Sequence, residues 1–167
     1  LEQPLAPVKH ALEIARLSSV STILNPAPGQ FLDSEILSLC DIITPNETEA
    51  EVLSGTKVKS IESAKGAADI LRSRGAKTVI ITLGSEGALL VDKQGYYHQP
   101  AFNTGKIAET TGAGDSFNAG LAVAIAKGNS LKESLKFGCA CGSLSVTKKG
   151  AATSMPTINE VQKLLEN

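Results

Sequence analysis

The sequence has few cysteines, almost no net charge and no long apolar run, and each shortage argues against a class of protein. Its three cysteines (Cys40, Cys139 and Cys141) are too few, and odd in number, for the disulfide framework of a small secreted domain. A net charge of −1, with scattered lysines and arginines, creates no field that would attract nucleic acid or an acidic membrane. No apolar stretch reaches the roughly 20 residues of a membrane helix, and no signal peptide is recognised. We therefore expect a cytoplasmic protein with neither nucleic acid nor membrane as partner.

The composition that remains is that of one globular domain, expected over residues 1–167. Hydrophobic residues make up 42% of the chain and charged residues 20%. Apolar periodicity predicts helices at 8–17, 33–39, 47–53, 60–74, 115–126, 131–147 and from 157 onward. Short β-branched or apolar runs predict strands at 20–24, 41–44, 77–83, 88–91 and 96–98. Strands that alternate with helices indicate an α/β fold with a mainly parallel sheet.

Four polar or glycine-rich segments follow predicted strands or open predicted helices. They are Asn25–Gly29, Asn46–Glu49, Gly84–Gly87 and Gly112–Asp115. Ligands of open α/β sheets bind outside the carboxyl ends of the strands. The convergence of the four segments therefore predicts a ligand site at this edge.

The segment Gly112-Ala113-Gly114-Asp115 opens a predicted helix. Its glycines allow the backbone to approach an anion, and the first N–H groups of the helix would point at that anion. A transferred phosphate is such an anion, and Asp115 could accept the proton of an attacking hydroxyl. The spacing alone supports equally well an Asp115 that only caps the helix.

Two other segments have structural as well as functional interpretations. The backbone of Gly84-Ser85-Glu86-Gly87 could contact a nucleotide phosphate. Taken alone, however, the segment is better explained as a simple turn. Asn46 and Glu49 could hold water around magnesium, or form a capping box, and the two roles are compatible. The chain contains neither a Walker A loop nor a dinucleotide-binding fingerprint. Cys139 and Cys141, two apart on a helix, are better explained as buried residues than as metal ligands.

Six sequence blocks together resemble the ribokinase/PfkB family of carbohydrate kinases. The blocks are Leu1–Leu5, Asn25–Pro28, Thr44–Glu51, Thr82–Gly87, Thr110–Gly120 and Val146–Ala151. The resemblance implies a ribokinase-like three-layer α/β/α fold with a mainly parallel sheet. It also implies that the family's N-terminal part, with a Gly-Gly sugar-recognition segment and a β-lid, is missing from this sequence.

The resemblance further implies a role for individual residues. Asp115 corresponds to the catalytic base, Glu2 to a sugar contact, and Gly112, Ala113 and Gly114 to the anion hole. Asn46 and Glu49 correspond to the motif that orders magnesium through water. Nucleotide binding would involve Asn46, Thr82, Leu83, Gly84, Ser85, Glu86, Gly87, Gly114, Asp115 and Cys139. A potassium site would involve Glu109, Thr111, Ser145, Lys148, Gly150 and Ser154.

Glu109 departs from the family pattern, which usually has aspartate before Thr-Thr-Gly. The extra methylene moves the carboxylate by on the order of 1.5 Å, the length of one C–C bond. Potassium activation is therefore an open expectation.

The expected function is ATP-dependent phosphorylation of a sugar hydroxyl, with ribose to ribose 5-phosphate as the first choice. The partners would be ATP and the sugar, with magnesium as cofactor and a homodimer conceivable for the full-length protein. Two alternatives stay open. One is a kinase of another sugar or of a nucleoside, and the other is a truncated nucleotide-binding fragment without activity of its own.

Overall fold

A computed structural model describes residues 1–166, which divide into two compact units. The first unit comprises Leu1–Leu83 and Leu89–His98. The second comprises Gly84–Ala88 and the chain from Gln99 onward. The single domain expected over residues 1–167 stays a prediction.

The first unit contains four helices and a five-stranded sheet, except for the first residue of the fourth strand (Ala88) and the last residue of the fifth (Gln99), which belong to the second unit. The helices are α1 (Leu5–Leu17), α2 (Ser34–Leu39), α3 (Glu47–Ser54) and α4 (Ile61–Ser73). The strands are β1 (Ile23–Leu24), β2 (Ile42–Ile43), β3 (Thr78–Thr82), β4 (Ala88–Asp92) and β5 (Gly95–Gln99). Their spatial order is β1-β2-β3-β4-β5. β1 pairs with β2, and β2 with β3, in parallel, and the two residues Lys93 and Gln94 join β4 to β5.

Local signals in the sequence account for most of the helix ends. Asn46 and Ser60 open α3 and α4 with reciprocal capping boxes, and Gly55 ends α3 in the left-handed conformation at φ +75°. α1 begins at Leu5, three residues before the predicted start. Pro7 lies in its first turn, where a missing N–H removes no helical hydrogen bond.

The core of the first unit forms where α4 covers the central strands. Leu71 of α4 and the strand residues Val79, Ile80 and Ile81 are fully buried. An unbroken apolar run is typical of a parallel strand that is covered on both faces. Arg74, which follows α4, donates hydrogen bonds to the carbonyls of Leu32 and Leu53 and so joins the end of the helix to two other segments.

The second unit is built on three helices, which the structure places at α5 (Ala113–Ala126), α6 (Leu131–Ser145) and α7 (Ile158–Leu165). A Cβ added to Gly120 of α5 would lie 2.5 Å from Sγ of Cys141 on α6. A Cβ added to Gly138 of α6 would lie 3.0 Å from the carbonyl oxygen of Phe117. The two helices therefore approach closely because small residues face each other. Within residues 1–166, no helix is both long and apolar enough to cross a membrane.

Candidate active site

The first turn of α5 is shaped by a glycine that no other residue could replace without strain. Gly112 is the N-cap residue, with φ +77° and no capping side chain. A Cβ at this position would also lie 3.2 Å from Cα of Ala151. Left-handed backbone and close packing both require glycine here. The turn can therefore bring its backbone close to a ligand.

Two backbone amides of this turn are unpaired within residues 1–166. The N–H of Ala113 donates to the carbonyl of Thr110 at 3.2 Å. The N–H groups of Gly114 and Asp115 have no acceptor within residues 1–166. Nothing lies within 4 Å of the position where Gly114 would carry a Cβ. Unpaired amides in an open space at the positive end of a helix fit an anion such as a phosphate.

Asp115 is the third residue of α5, and its side chain is exposed. Its carboxylate accepts no hydrogen bond and forms no ion pair within the described part of the chain. The geometry thus contains no side-chain cap of the kind that the simpler interpretation of Asp115 requires. A carboxylate of this kind is available to an incoming hydroxyl.

The helix α6 packs against the first turn of α5. Ser116 is buried, and its hydroxyl donates a hydrogen bond to the carbonyl of Cys141 at 3.1 Å. A Cβ on Gly142 would lie 3.4 Å from the carbonyl oxygen of Ala113. The turn therefore has a fixed support on one side, which suits a preorganised anion site.

Glu109, three residues before Gly112, accepts a backbone hydrogen bond within the second unit. Its Oε2 accepts from the N–H of Gly150 at 2.9 Å. This bond and, after it, the neighbouring hydroxyl of Thr111 lower the pKa of Glu109 below the usual glutamate value. The carboxylate is therefore ionised and already engaged with the chain.

The remaining residues expected at a potassium site lie in the second unit as well. Ser145 and Ser154 are buried, and their hydroxyls donate to the carbonyls of Gly142 and Ala151. The carbonyl of Ser145 accepts the N–H of Lys148. The carbonyls of Thr111, Lys148 and Gly150 have no donor within residues 1–166. These three carbonyl oxygens are therefore acceptors of the kind that bind a hard monovalent cation, and the carbonyl of Ser145 and the carboxylate of Glu109 each keep further lone pairs.

Asn46 and Glu49 form a closed pair at the start of α3 in the first unit. The backbone N–H and side-chain amide of Asn46 each donate to a different carboxylate oxygen of Glu49 at 2.9 Å. Asn46 Oδ1 accepts the N–H of Glu49 at the same distance. The capping box is therefore present. Asn46 itself is exposed, whereas Glu49 is buried, and each carboxylate oxygen keeps a second lone pair that could accept from a magnesium-bound water.

The segment 82–87 runs from the first unit into the second. Thr82 pairs with Asn46 in a parallel bridge, and its N–H donates to the carbonyl of Pro45 at 3.0 Å. Leu83 is buried in the core of the first unit. The three residues Gly84, Ser85 and Glu86 form one exposed 3₁₀ turn.

The two glycines of this segment differ in their surroundings. A Cβ on Gly87 would collide with the backbone at Gln99, so Gly87 is needed for packing. Gly84 has φ +52° and no atom within 4 Å of a Cβ position, so its backbone is accessible. A ligand could therefore approach Gly84 but not Gly87.

The last two residues expected to contact a ligand, Cys139 and Glu2, differ in their exposure to solvent. Cys139 is buried in α6, and burial raises its pKa to about 12. Its thiol is therefore neutral, and any contact with adenine would be apolar or a weak S–H hydrogen bond. Glu2 is exposed. In residues 1–166, no group of three or more His, Cys, Asp or Glu side chains is arranged to hold a metal ion.

Residues 2–158 match the family described as pfkB family carbohydrate kinase. The chain belongs to this family. Its members are carbohydrate kinases, and the implied ribokinase-like fold is confirmed by solved relatives. A ribokinase of Arabidopsis thaliana, solved with ribose and ATP, superposes with a TM-score of 0.93 at 34% identity, over 98% of this chain and 53% of that one.

Two curated ribokinases are similar in sequence to this chain over nearly all of its length. The ribokinase of Haemophilus influenzae is 45% identical over 167 residues, which is 100% of this chain and 54% of the relative. The ribokinase of Staphylococcus aureus is 43% identical over 165 residues, 98% of this chain and 54% of the relative. The chain thus spans about half the length of the curated relatives it matches.

Some residues that shape this PfkB site were not singled out by sequence reasoning. Ser116, directly after the turn Gly112–Asp115, donates to the carbonyl of Cys141 on α6, and Ala151 packs against Gly112. Gly120 and Gly138 are small residues that indicate close packing of α5 against α6. Such packing would place Ser116 of α5 within reach of α6. Ala151 ends the block Val146–Ala151, but nothing in that block predicts its contact with Gly112.

Proposed function

We propose that this PfkB chain carries the catalytic base and the anion hole for the transfer of a phosphoryl group from ATP to a sugar hydroxyl. The observation that carries the proposal is the exposed carboxylate of Asp115 beside the amides of Gly114 and Asp115, none of which has a partner in the described part of the chain. Similarity to two curated ribokinases supports ribose as the acceptor and ribose 5-phosphate as the product.

In this mechanism, the carboxylate of Asp115 accepts the proton of the attacking sugar hydroxyl while that oxygen forms a bond to the γ-phosphorus of ATP. The bond between the γ-phosphorus and the bridging oxygen breaks, and ADP leaves. Negative charge on the oxygens of the transferred group is stabilised by the N–H groups of Gly114 and Asp115. The positive end of α5 acts in the same direction.

Asn46 and Glu49 would hold magnesium through its bound water, and the ion would neutralise charge on the phosphates. The fit rests on the paired but still accepting carboxylate of Glu49 and on the exposure of Asn46. For potassium, the unpaired carbonyls of Thr111, Lys148 and Gly150 support a site next to the turn.

The decisive experiment compares two identical chemical changes in the intact protein. Asp115→Asn removes the base and is expected to lower kcat for sugar-dependent ADP release by roughly 10²–10⁴-fold. Asp69→Asn is the matched control, because Asp69 is also an exposed helical carboxylate without a partner in the described chain. We expect Asp69→Asn to keep kcat within about twofold. An Asp115→Asn variant with near-normal turnover would refute the assignment.

Two alternatives have separate tests. A panel of ribose, 2-deoxyribose, fructose and nucleosides, assayed by ADP release, identifies the acceptor, and a nucleoside preference would replace ribose. The chain covers only about half of its curated relatives, which favours a nucleotide-binding fragment as the second candidate. Calorimetric titration of the 167-residue chain with ATP and magnesium tests binding, and sugar-dependent ADP release by this chain would rule out an inactive fragment.

A further inference from the structure

We propose that Glu109 is a positioning residue, whose carboxylate holds the Gly150–Ala151 segment against Gly112 and thereby fixes the anion-binding turn. The inference rests on the proposed function, because it concerns how that turn is held. Its first support is the hydrogen bond that Oε2 of Glu109 accepts from the N–H of Gly150 at 2.9 Å.

The second support is the contact between the tethered segment and the turn. Ala151, next to Gly150, lies so close to Gly112 that a Cβ there would be 3.2 Å from Cα of Ala151. The carbonyl of Ala151 accepts both the N–H and the hydroxyl of Ser154. Ala151 is thus held on both sides, by Ser154 directly and by Glu109 through Gly150. If this segment moved, Ala151 would no longer pack against Gly112, and the position of the Gly112 backbone would no longer be fixed from this side.

The third support is that the backbone at Glu109 is itself fixed. The N–H groups of Ala108 and Glu109 both donate to the carbonyl of Val146, at 2.8 and 3.2 Å. Two kinds of contact therefore join the segment of Glu109 to residues 146–150. One is the pair of backbone hydrogen bonds to Val146, and the other is the hydrogen bond from Gly150 to the Glu109 side chain.

The length of the side chain matters for this bond. Aspartate would place the carboxylate on the order of 1.5 Å farther back, one C–C bond length. The 2.9 Å bond to Gly150 would then lengthen beyond hydrogen-bond range unless the backbone moved. Glutamate at position 109 is thus matched to its partner, which gives the departure from the usual aspartate a structural reason.

The test follows amide hydrogen exchange at Gly150 in the isotopically labelled intact protein, together with steady-state kinetics. In Glu109→Ala and Glu109→Asp, exchange at Gly150 is expected to rise at least about tenfold, while amides of α4 keep their protection. The amide shifts of Gly114 and Asp115 should move as well. Glu109→Gln keeps one acceptor oxygen for Gly150 and should preserve the exchange rate.

The kinetic arm separates positioning from mere stability. Glu109→Ala is expected to lower kcat by about 10²-fold, the usual effect of an approximately 1 Å misplacement, with both KM values within about threefold. Glu109→Gln should restore kcat to within about fivefold of the wild type.

Each contrary outcome has a distinct meaning. Unchanged exchange at Gly150 in Glu109→Ala would refute the tether, and faster exchange with unchanged kcat would refute positioning. A wild-type protein that phosphorylates no sugar refutes the proposed function instead. The tether would then stand or fall on exchange at Gly150 and on the shifts of Gly114 and Asp115.

Discussion

Adding one methyl group between α5 and α6 should destabilise the protein although it improves helix propensity. In Gly120→Ala, the new Cβ would lie 2.5 Å from Sγ and 3.0 Å from Cβ of Cys141, and 3.3 Å from Cα of Gly138. Carbon atoms in contact normally keep roughly 3.5–4.0 Å. One helix must therefore move by about 1 Å, or Cys141 must leave its rotamer.

The expected magnitude follows from two opposing terms. Replacing glycine by alanine inside a helix favours folding by about 1 kcal/mol. Overpacking of a well-packed interior costs about 1–3 kcal/mol, and the upper end applies to Gly120 because three atoms of α6 are crowded at once. We therefore expect Gly120→Ala to lower the free energy of unfolding by about 2 kcal/mol.

The matched control is Gly66→Ala in the middle of α4. Gly66 is exposed, and nothing lies within 4 Å of its Cβ position. Only the propensity term applies there, so the variant should be stabilised by about 0.4–1 kcal/mol. Urea unfolding of the intact protein measures both variants against the wild type.

A double-mutant cycle identifies the cause of the loss. Cys141→Ala removes the nearest crowding atom, so Gly120→Ala should cost about 1–2 kcal/mol less in that background. A Gly120→Ala protein with a urea midpoint at or above that of the wild type would refute the reasoning. Equal costs in both backgrounds would show that Sγ of Cys141 is not the obstacle.

Two further predictions concern ionisation. Hydrogen bonds from the side chain and then the backbone of Ser130 lower the pKa of Glu133, which caps the start of α6 with Ser130. The capping interaction therefore contributes its full stability above the usual glutamate pKa of 4.5. This contribution is lost as the pH falls through the lowered pKa. The stability difference between wild type and Glu133→Gln should therefore vanish in acid, and a constant difference from pH 7 to 2 would contradict this. Burial raises the pKa of Cys40 and Cys139 to about 12 and of Cys141 to about 11, so at pH 8 an aromatic disulfide reagent should modify these thiols only after unfolding, and rapid modification of the native protein would be inconsistent with their burial.

Several elements were predictable because their signals are local. The capping box at Thr157, the left-handed glycine after α3 and the two-residue turn between β4 and β5 each depend on neighbours within a few residues. The helices that the sequence predicted are present with boundaries within three residues. The predicted strands 20–24 and 41–44 were too long, because only Ile23–Leu24 and Ile42–Ile43 find a partner strand.

By itself, the sequence determined the family and the fold, because the PfkB blocks are short contiguous motifs. It also predicted which segments would supply the candidate site, although the roles of their residues stay predictions. Tertiary structure alone decided what each group contacts. Glu109 and Gly150 are 41 residues apart, and the bond between them follows from the packing of whole segments. The same packing left the carboxylate of Asp115 unpaired, whereas its position in the sequence fits a helix cap equally well.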